Sequence, residues 1–510
     1  MADAACGGAK ASSLLALLPD SGPSTVTAST ASNAPLSVCP GEPYRIAYTR
    51  EVTAKAGDVL WIHAEVETTN DLRDAAGNWL TAVHSMRVTV QGAGVPEPAT
   101  TLAEVSEGSF PRGLHHVPLS AVTLYRATAD GELTIRAEFR AGASDGGHTL
   151  ACRPDKREFV FLNPEYGGIQ VAHFRPFPDV ASAAAAKAYA LTDLRQTEQP
   201  AENSRSYGRC APYQPALPYS VTVPVAAGDV VLALAQTGVR LFPEPPSAGA
   251  CAGGRFDLKQ PVALEGCRSD AADKRDILGT QIPDELHGLK LQASASGLHS
   301  FTASENVSLC LQPSTLFSYG AIRAAEPGEI TLSTALNGVS GYGATLLPDA
   351  GQIAALRFRP VAAAGSGAQL FVSASDRLAA PPASVAPAEP ESSPGRWSVL
   401  AAHRVELPAG ARLWAAAQAQ LRQAAAIRGN VCRSALMLID SEAGAVGRSP
   451  IMARDLIPDT ATLPLQNEAV MTVEKAGSYT LELRAHCDAA PASATGIGLQ
   501  YLVFTPAGSS

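Results

Sequence analysis

A pattern of strand, Gly turn and second strand occurs three times in this chain of 510 residues, and it constrains the fold more than any other feature. In each copy an alternating segment leads into a tight turn, and an apolar run follows. The turns contain Gly57, Gly228 and Gly410. Gly adopts backbone conformations that other residues resist, and an apolar run after such a turn is typical of a core strand. The repeat therefore predicts three sheet-forming modules.

A second shared feature closes each copy. A turn containing Gly131, Gly297 or Gly477 is followed by a strand of alternating pattern that runs towards a cysteine. We therefore predict a mainly β fold of tandem antiparallel β-sandwich modules, jelly-roll-like in type. The Ala-Gly-Asp turn resembles turns of secreted jelly-roll and pre-peptidase-type sandwich modules, a likeness of a few residues per copy that implies no activity.

The repeat and the local composition predict the domain boundaries. They are a flexible N-terminal arm at 1–30, module 1 at 31–178, a linker with a short helix at 179–206, module 2 at 207–325, additional strands or a half-module at 326–377, a Pro-rich linker at 378–396 and module 3 at 397–510. The Ala-rich run 180–195 supplies the helix. A second Ala-rich run, 413–430, favours a helix by composition, but its alignment with 60–78 predicts strand and loop.

Eight of the nine cysteines fall in matching places within the modules. The predicted pairs are Cys39 with Cys152, Cys210 with Cys310, Cys251 with Cys267, and Cys432 with Cys487. Paired structural cysteines imply an oxidising compartment, so we expect a protein that is extracellular, periplasmic or attached to the cell surface. We also expect a bacterial source. Buried free thiols in a cytosolic protein are the alternative.

Composition argues against nucleic-acid binding and against a transmembrane helix. The formal net charge is -9, only 17% of residues are charged, and Lys and Arg do not cluster, which excludes a nucleic-acid footprint. No segment approaches the run of about 20 apolar residues that spans a bilayer, which excludes a transmembrane helix. The partners that remain are protein or glycan surfaces, further copies of this chain included.

Histidines and carboxylates of module 1 form the candidate metal site, because imidazole and carboxylate groups are common metal ligands. The predicted ligands are His84, His115, Asp71 and Asp74, with His63, His116 and Glu65 nearby in the sequence. The loop 70–74 is also a candidate calcium site, since oxygen ligands suit that ion. Modules 2 and 3 lack equivalent histidines, so structural histidines and an ordinary turn are the competing interpretation.

No nucleophile elbow and no Ser, His and Asp spacing is present. The sequence therefore predicts a non-enzymatic secreted or cell-surface protein with a structural, adhesive or assembly role. A carbohydrate-binding protein, with Trp79 and Tyr207 as candidate exposed aromatics, is one alternative. A metal-dependent or hydrolytic enzyme centred on module 1 is the other. Trp61 and Trp414 occupy equivalent places in the repeat, which predicts that they are packing residues.

Overall fold

The structure is a computed structural model. It describes residues 14–17, 25–26, 36–72, 82–108, 115–143, 160–177, 190–198, 206–207, 214–215, 220–243, 287–294, 299–300, 303–305, 313–337, 342–346, 352–359, 369–373, 383–385, 397–423, 430–449, 451–456, 463–488 and 492–504. Within these ranges every helix or strand element is a strand, and the strands pair antiparallel. The predicted mainly β class is confirmed.

The strands fall into three successive units, each made of two sheets. In every unit we call the sheet that faces the other units the inner sheet and its partner the outer sheet. The inner sheet of the first unit contains β1 (Leu14–Leu17), β3 (Ser37–Val38), β5 (Val59–Asn70), β8 (His115–Arg126) and β10 (Val160–Phe177). Its outer sheet contains β2 (Thr25–Val26), β4 (Arg45–Ala54), β6 (Ala82–Gly92), β7 (Thr100–Gly108) and β9 (Gly131–Ala143).

The second unit repeats this arrangement. Its inner sheet contains β11 (Ala190–Glu198), β12 (Ser206–Tyr207), β15 (Val230–Pro243), β17 (His299–Ser300), β19 (Pro313–Arg323), β21 (Tyr342–Leu346) and β22 (Gln352–Arg359). Its outer sheet contains β13 (Gln214–Pro215), β14 (Val221–Val225), β16 (His287–Ala293), β18 (Ala303–Glu305) and β20 (Gly328–Asn337).

The third unit completes the described chain. Its inner sheet contains β23 (Gln369–Ser373), β24 (Ala383–Val385), β26 (Arg412–Gln423), β30 (Leu463–Thr472) and β32 (Ala492–Phe504). Its outer sheet contains β25 (Ser398–Leu407), β27 (Asn430–Asp440), β28 (Gly444–Arg448), β29 (Met452–Leu456) and β31 (Gly477–Cys487). The central order of the inner sheets is the same in all three, namely β10-β5-β8, β22-β15-β19 and β32-β26-β30.

The Gly turns that defined the repeat have one geometry. Gly57, Gly228 and Gly410 have φ values of 90°, 84° and 76°, in the left-handed region that favours glycine. The amide of each Gly donates to a carbonyl at the end of the strand that pairs with the following strand, at 2.8 Å in all three copies. In each copy the residue carrying that carbonyl donates its own amide to the residue after the Gly. The repeat is therefore the same local structure built three times.

The residue after the turn Gly shows how the sequence compensates for a change. Asp58 accepts a bond from the Lys55 amide at 2.9 Å, and Asp229 accepts one from the Ala226 amide at 2.8 Å. In the third unit the corresponding donor position is Pro408, which has no amide hydrogen, and Ala411 follows the Gly. The carboxylate is thus absent where there is no amide hydrogen for it to accept.

Strand alternation places two different sets of side chains on the two faces of β5. Leu60 and Ile62 face the core between the sheets of the first unit. Val59 and Trp61 face the other units. Because successive side chains point to opposite faces, a strand covered on both sides is buried throughout, as β5 is. The third unit has its own core between its two sheets.

Two segments differ from the sequence-based expectation, namely the predicted helix and the predicted flexible arm. Residues 190–195, at the end of the predicted helix, belong to β11, which pairs with β22. Sheet pairing outweighs the modest helix preference of Ala, so the helix prediction is wrong there. Strands β1 and β2, within the predicted flexible arm, pair with β10 and β4. The arm is therefore anchored at these two places.

The strands of 328–359 belong to the second unit, since β20 pairs with β14 and β22 pairs with β15. They are not a separate half-module. Within the predicted Pro-rich linker, β24 pairs with β32 of the third unit. In contrast, the strand prediction for the Ala-rich run 413–430 is confirmed over β26.

Candidate functional site

The three inner sheets meet at a central core that all three units share. Trp61, Leu232 and Trp414, each four residues after a turn Gly, are buried there. Between units, β7 contacts β19, β18 contacts β30, and β29 contacts β8. These are equivalent strand pairs, so each unit packs head to tail on the next and the arrangement closes after three steps. Every unit contributes to the central core of this closed ring.

A carboxyl group lies inside this apolar core. Glu468 on β30 is 2% exposed, and its Oε1 atom accepts hydrogen bonds from the indole nitrogens of Trp61 and Trp414, each at 2.6 Å. The two indole rings pack edge to face with their centroids 6.3 Å apart. A buried indole N–H needs an acceptor, and one carboxyl oxygen serves both. The bond to Trp61 joins the first unit to the third.

The other oxygen of Glu468 faces a buried histidine. Nδ1 of His63 lies 4.0 Å from Oε2 of Glu468, while Nε2 of His63 is 3.0 Å from the Ser120 hydroxyl and 3.5 Å from a Glu65 oxygen. Burial lowers the pKa of His63 to about 4. Burial also raises the pKa of Glu468 to about 7, against the opposing effect of the two indole hydrogen bonds. The pair is suited to holding a proton.

The centre becomes more polar further along the same strands. Equivalent positions on β5, β15 and β26 carry Glu65, Gln236 and Gln418. Gln466 on β30 and Gln500 on β32 are buried as well. The junction between units is thus mainly apolar around the tryptophans, where Glu468 and its two hydrogen bonds are the polar contacts described, and rich in amide groups beyond them.

The structure places His84, a predicted metal ligand, away from this junction. His84 is buried inside the first unit, and its Nδ1 atom lies 2.6 Å from the hydroxyl of Thr68. Thr68 and His63 are an odd number of residues apart on β5, so they point to opposite faces of the inner sheet. His63 and His84 therefore do not form one cluster, which fits a structural histidine.

The other predicted ligands lie around the end of β5. His115 is paired with Asn70 in the sheet register, but the side chains of His115 and His116 and all of Asp74 lie outside the described residues. Oδ1 of Asn70 accepts the Leu72 amide at 3.0 Å across Asp71, which is the hydrogen bond of an ordinary Asx turn. Across the described ranges no three His, Cys, Asp or Glu residues are arranged to hold a metal ion. The metal and calcium sites stay predictions.

One predicted disulfide can be followed in full. Cys432 and Cys487 are directly opposite each other on β27 and β31, are buried and form a disulfide, so this pairing is confirmed. Cys39 is also disulfide-bonded. The other cysteines of the predicted pairs, which are Cys152, Cys210, Cys251, Cys267 and Cys310, lie outside the described residues, and their pairing stays a prediction.

Trp61 and Trp414 are packing residues as predicted, but they pack between units and not inside a module. Sequence reasoning missed Glu468, which is separated from Trp61 by 407 residues. The signal available was the pair of equivalent tryptophans, since two buried indole N–H groups require an acceptor. Trp79 and the side chain of Tyr207, candidates for a sugar-binding face, lie outside the described residues.

An exposed polar cluster lies on the outer sheet of the first unit. The guanidinium carbons of Arg87 and Arg140 lie 4.3 Å and 4.5 Å from the centroid of the Tyr44 ring. The Tyr44 hydroxyl donates to Glu104 at 2.6 Å, and Arg140 donates to the same carboxylate at 3.2 Å. The cluster combines an aromatic ring with charged hydrogen-bonding groups at the surface.

No protein-family model matches the chain, and no curated protein matches it. Among solved structures, it is similar to the structure of infectious bursal disease virus Gt strain, with 12% identity over 95% of this chain and 74% of that chain and a TM-score of 0.22. It is also similar to the N-terminal CBM22-1-CBM22-2 tandem domain of Xyn10C from Paenibacillus barcinonensis, with 13% identity over 60% of this chain and 90% of that chain and a TM-score of 0.17. Neither score is high enough to carry an argument. Among the described residues no helix has the length and apolar character to span a membrane.

Proposed function

We propose that this chain is a non-enzymatic structural protein, in which three β-sandwich units form one closed body that serves adhesion or assembly. The observation that carries the proposal is the closed packing of the inner sheets around a shared core. Cyclic packing buries the inner faces and leaves three outer sheets directed outwards. Such a body can present several surfaces at fixed angles, which suits an adhesive or assembly component.

We further propose that the protein works outside the cytoplasm. The buried Cys432–Cys487 disulfide supports this location, because such bonds persist in oxidising compartments. Mass spectrometry of protein isolated from its native source under non-reducing conditions is expected to recover the linked peptides. Free thiols at both positions in that material would contradict the proposed location.

Sedimentation velocity over a range of concentrations, with and without cell-envelope fractions, tests the structural role. We expect either defined self-assembly or saturable co-sedimentation with the envelope. A matched variant of the exposed outer edge, Val446→Asp on β28, checks whether the outer surface of the third unit takes part. A protein that stays monomeric at all concentrations and does not co-sediment with the envelope fractions would overturn the proposal.

Carbohydrate binding is a second candidate, which we base on the cluster around Tyr44. Aromatic rings pack on the flat faces of sugars, and charged groups beside the ring can hydrogen-bond to hydroxyls. A glycan array is expected to give saturable binding that Tyr44→Ala abolishes and that Tyr479→Phe, on the third unit, leaves unchanged. Absence of binding across the array would remove this candidate.

A further inference from the structure

The contacts of His63 favour one of its two neutral tautomers. Nε2 lies 3.0 Å from the Ser120 hydroxyl and 3.5 Å from a carboxyl oxygen of Glu65, which favours a hydrogen on Nε2 that points at these two oxygens. Nδ1 of the neutral ring then presents a lone pair. It faces Oε2 of Glu468 at 4.0 Å. Two acceptors face each other across a buried gap unless a proton lies on one of them.

The described residues around that pair of atoms offer no other hydrogen-bond partner. Neither Nδ1 of His63 nor Oε2 of Glu468 has a hydrogen-bond partner among the described residues. At the level of Glu468 the neighbouring strands contribute Ala416 and Gln500, which carry no charge. Among the described residues, the titratable groups on the same side as Glu468 come from β5, namely His63 and, further along, Glu65 and Glu67. The nearest arginine on the same face of β26 is Arg412, beyond Trp414.

We propose that the junction between the first and third units holds a single proton on the Glu468 carboxyl, with His63 neutral, and that this protonated carboxyl clamps the two units together. The carboxyl then accepts both indole hydrogens at Oε1 and presents its own hydrogen towards Nδ1 of His63 at Oε2. Burial favours this neutral arrangement over an ion pair, because two separated charges would lose their hydration inside the core.

The two groups affect stability with opposite signs as pH changes. The pKa of Glu468 rises from 4.5 to about 7 on folding, so between these values the folded protein keeps a proton that the unfolded chain has lost, and stability falls as pH rises. The pKa of His63 falls from 6.5 to about 4, so between these values the unfolded chain binds a proton that the folded protein does not, and stability rises with pH. Between pH 4.5 and 6.5 the two ranges overlap and the two effects on the free energy of unfolding cancel, so the stability of the junction stays nearly constant there.

Two substitutions separate the two effects. Glu468→Gln keeps an oxygen for the indole hydrogens and an N–H that faces His63, and so imitates the protonated carboxyl. His63→Leu copies the second unit, which carries Leu234 at the equivalent position. Unfolding constants from urea titrations are compared with wild type at each pH, so that contributions from all other groups cancel.

Relative to wild type, the unfolding constant of Glu468→Gln is expected to fall on the order of a hundredfold as pH rises from 4.5 to about 7. The unfolding constant of His63→Leu, relative to wild type, is expected to rise by a similar factor as pH rises from about 4 to 6.5. In the double variant the two changes are expected to cancel between pH 4.5 and 6.5, where the two ranges overlap. A ratio to wild type that does not depend on pH, in either single variant, overturns the proposal.

Infrared spectroscopy of the wild-type protein gives a second test that needs no variant to fold. A protonated carboxyl shielded from deuterium exchange is expected in mildly acidic buffer, and its C=O band is expected to disappear above neutral pH. Absence of the band in acid overturns the proposal. The exposed variant Glu406→Gln serves as the control, since its side chain is 72% exposed and the variant should behave as wild type in both experiments.

Discussion

The first and third units meet at the centre through hydrogen bonds, whereas the second unit meets them with aliphatic side chains. Trp61 and Trp414 both donate to Glu468, but the equivalent residue of the second unit is Leu232, which has no donor. The backbone arrangement is the same in all three. The repeat therefore specifies where a side chain points, and either a polar or an apolar side chain can occupy that position if its partners change with it.

The largest effect is expected from removing one indole of the hydrogen-bonded pair. Trp414→Ala should destabilise the protein by about 3–5 kcal/mol, because it opens a cavity and removes a donor from a buried carboxyl. Leu232→Ala should lie near the lower end of its usual range of about 2–5 kcal/mol, since it leaves no polar group without a partner. Urea unfolding followed by circular dichroism measures both.

The exposed substitution Val446→Ala, at a side chain 42% exposed, provides the baseline for that pair. Equal losses for Trp414→Ala and Leu232→Ala would mean that the hydrogen bonds at the centre contribute nothing beyond packing. The hydrogen-bonded junction and the aliphatic junction would then contribute equally to the free energy of unfolding.

A smaller effect is expected at the turn, where the first and third units also differ. Oδ2 of Asp58 accepts the Lys55 amide and lies 2.6 Å from Nε2 of His173, while the third unit has Ala411 and Val503 at the equivalent positions of Asp58 and His173. Asp58→Ala should destabilise by about 2 kcal/mol, because it leaves a buried imidazole without its partner. Thermal unfolding at fixed pH measures the loss.

Copying the whole turn of the third unit sharpens the test. The triple variant Lys55→Pro, Asp58→Ala, His173→Val removes the amide donor, the acceptor and the imidazole together. We expect it to recover most of the stability that Asp58→Ala loses, since the imidazole that the single variant leaves without its carboxylate is removed as well. A triple variant less stable than the single one would show that the two turns are not interchangeable.

The smallest effect is expected between the first and second units. Thr315 accepts a bond from the Ser106 amide at 3.0 Å and lies 3.4 Å from the Ser106 carbonyl oxygen. Thr315→Val keeps the volume and removes the hydroxyl, so we expect a loss of about 1 kcal/mol. The matched control is Thr222→Val, because the exposed Thr222 hydroxyl bonds to Thr331 within the second unit. A loss above that for Asp58→Ala would place the main polar contact at this junction instead.

Two Ala-rich regions show how far sequence reasoning reached. The run beginning at Leu413 is a strand, as its alignment with the first copy predicted, although composition alone favours a helix. The run that ends near Arg195 had no aligned copy, so composition decided the prediction, and residues 190–195 proved to be a strand. A repeat carries information about long-range pairing that local helix preference does not contain.

The candidate site was predicted only in part for a similar reason. The predicted histidine cluster rests on proximity in sequence, yet alternation along β5 directs His63 and Thr68, the partner of His84, to opposite faces of the sheet. The residue that matters at the centre, Glu468, comes from another unit and leaves no local pattern. Its presence follows from the two equivalent tryptophans only once the units are known to pack face to face.

The strand-forming class, the three equivalent turns and the pairing of Cys432 with Cys487 follow from the amino-acid sequence, because periodicity, glycine and cysteine position act over short distances or within one copy. The packing of the three units, in contrast, sets which face of β5 meets another unit and which carboxyl the indoles share. Alternation fixes two faces for every strand, but the choice of neighbour for each face depends on how the three units close around one centre.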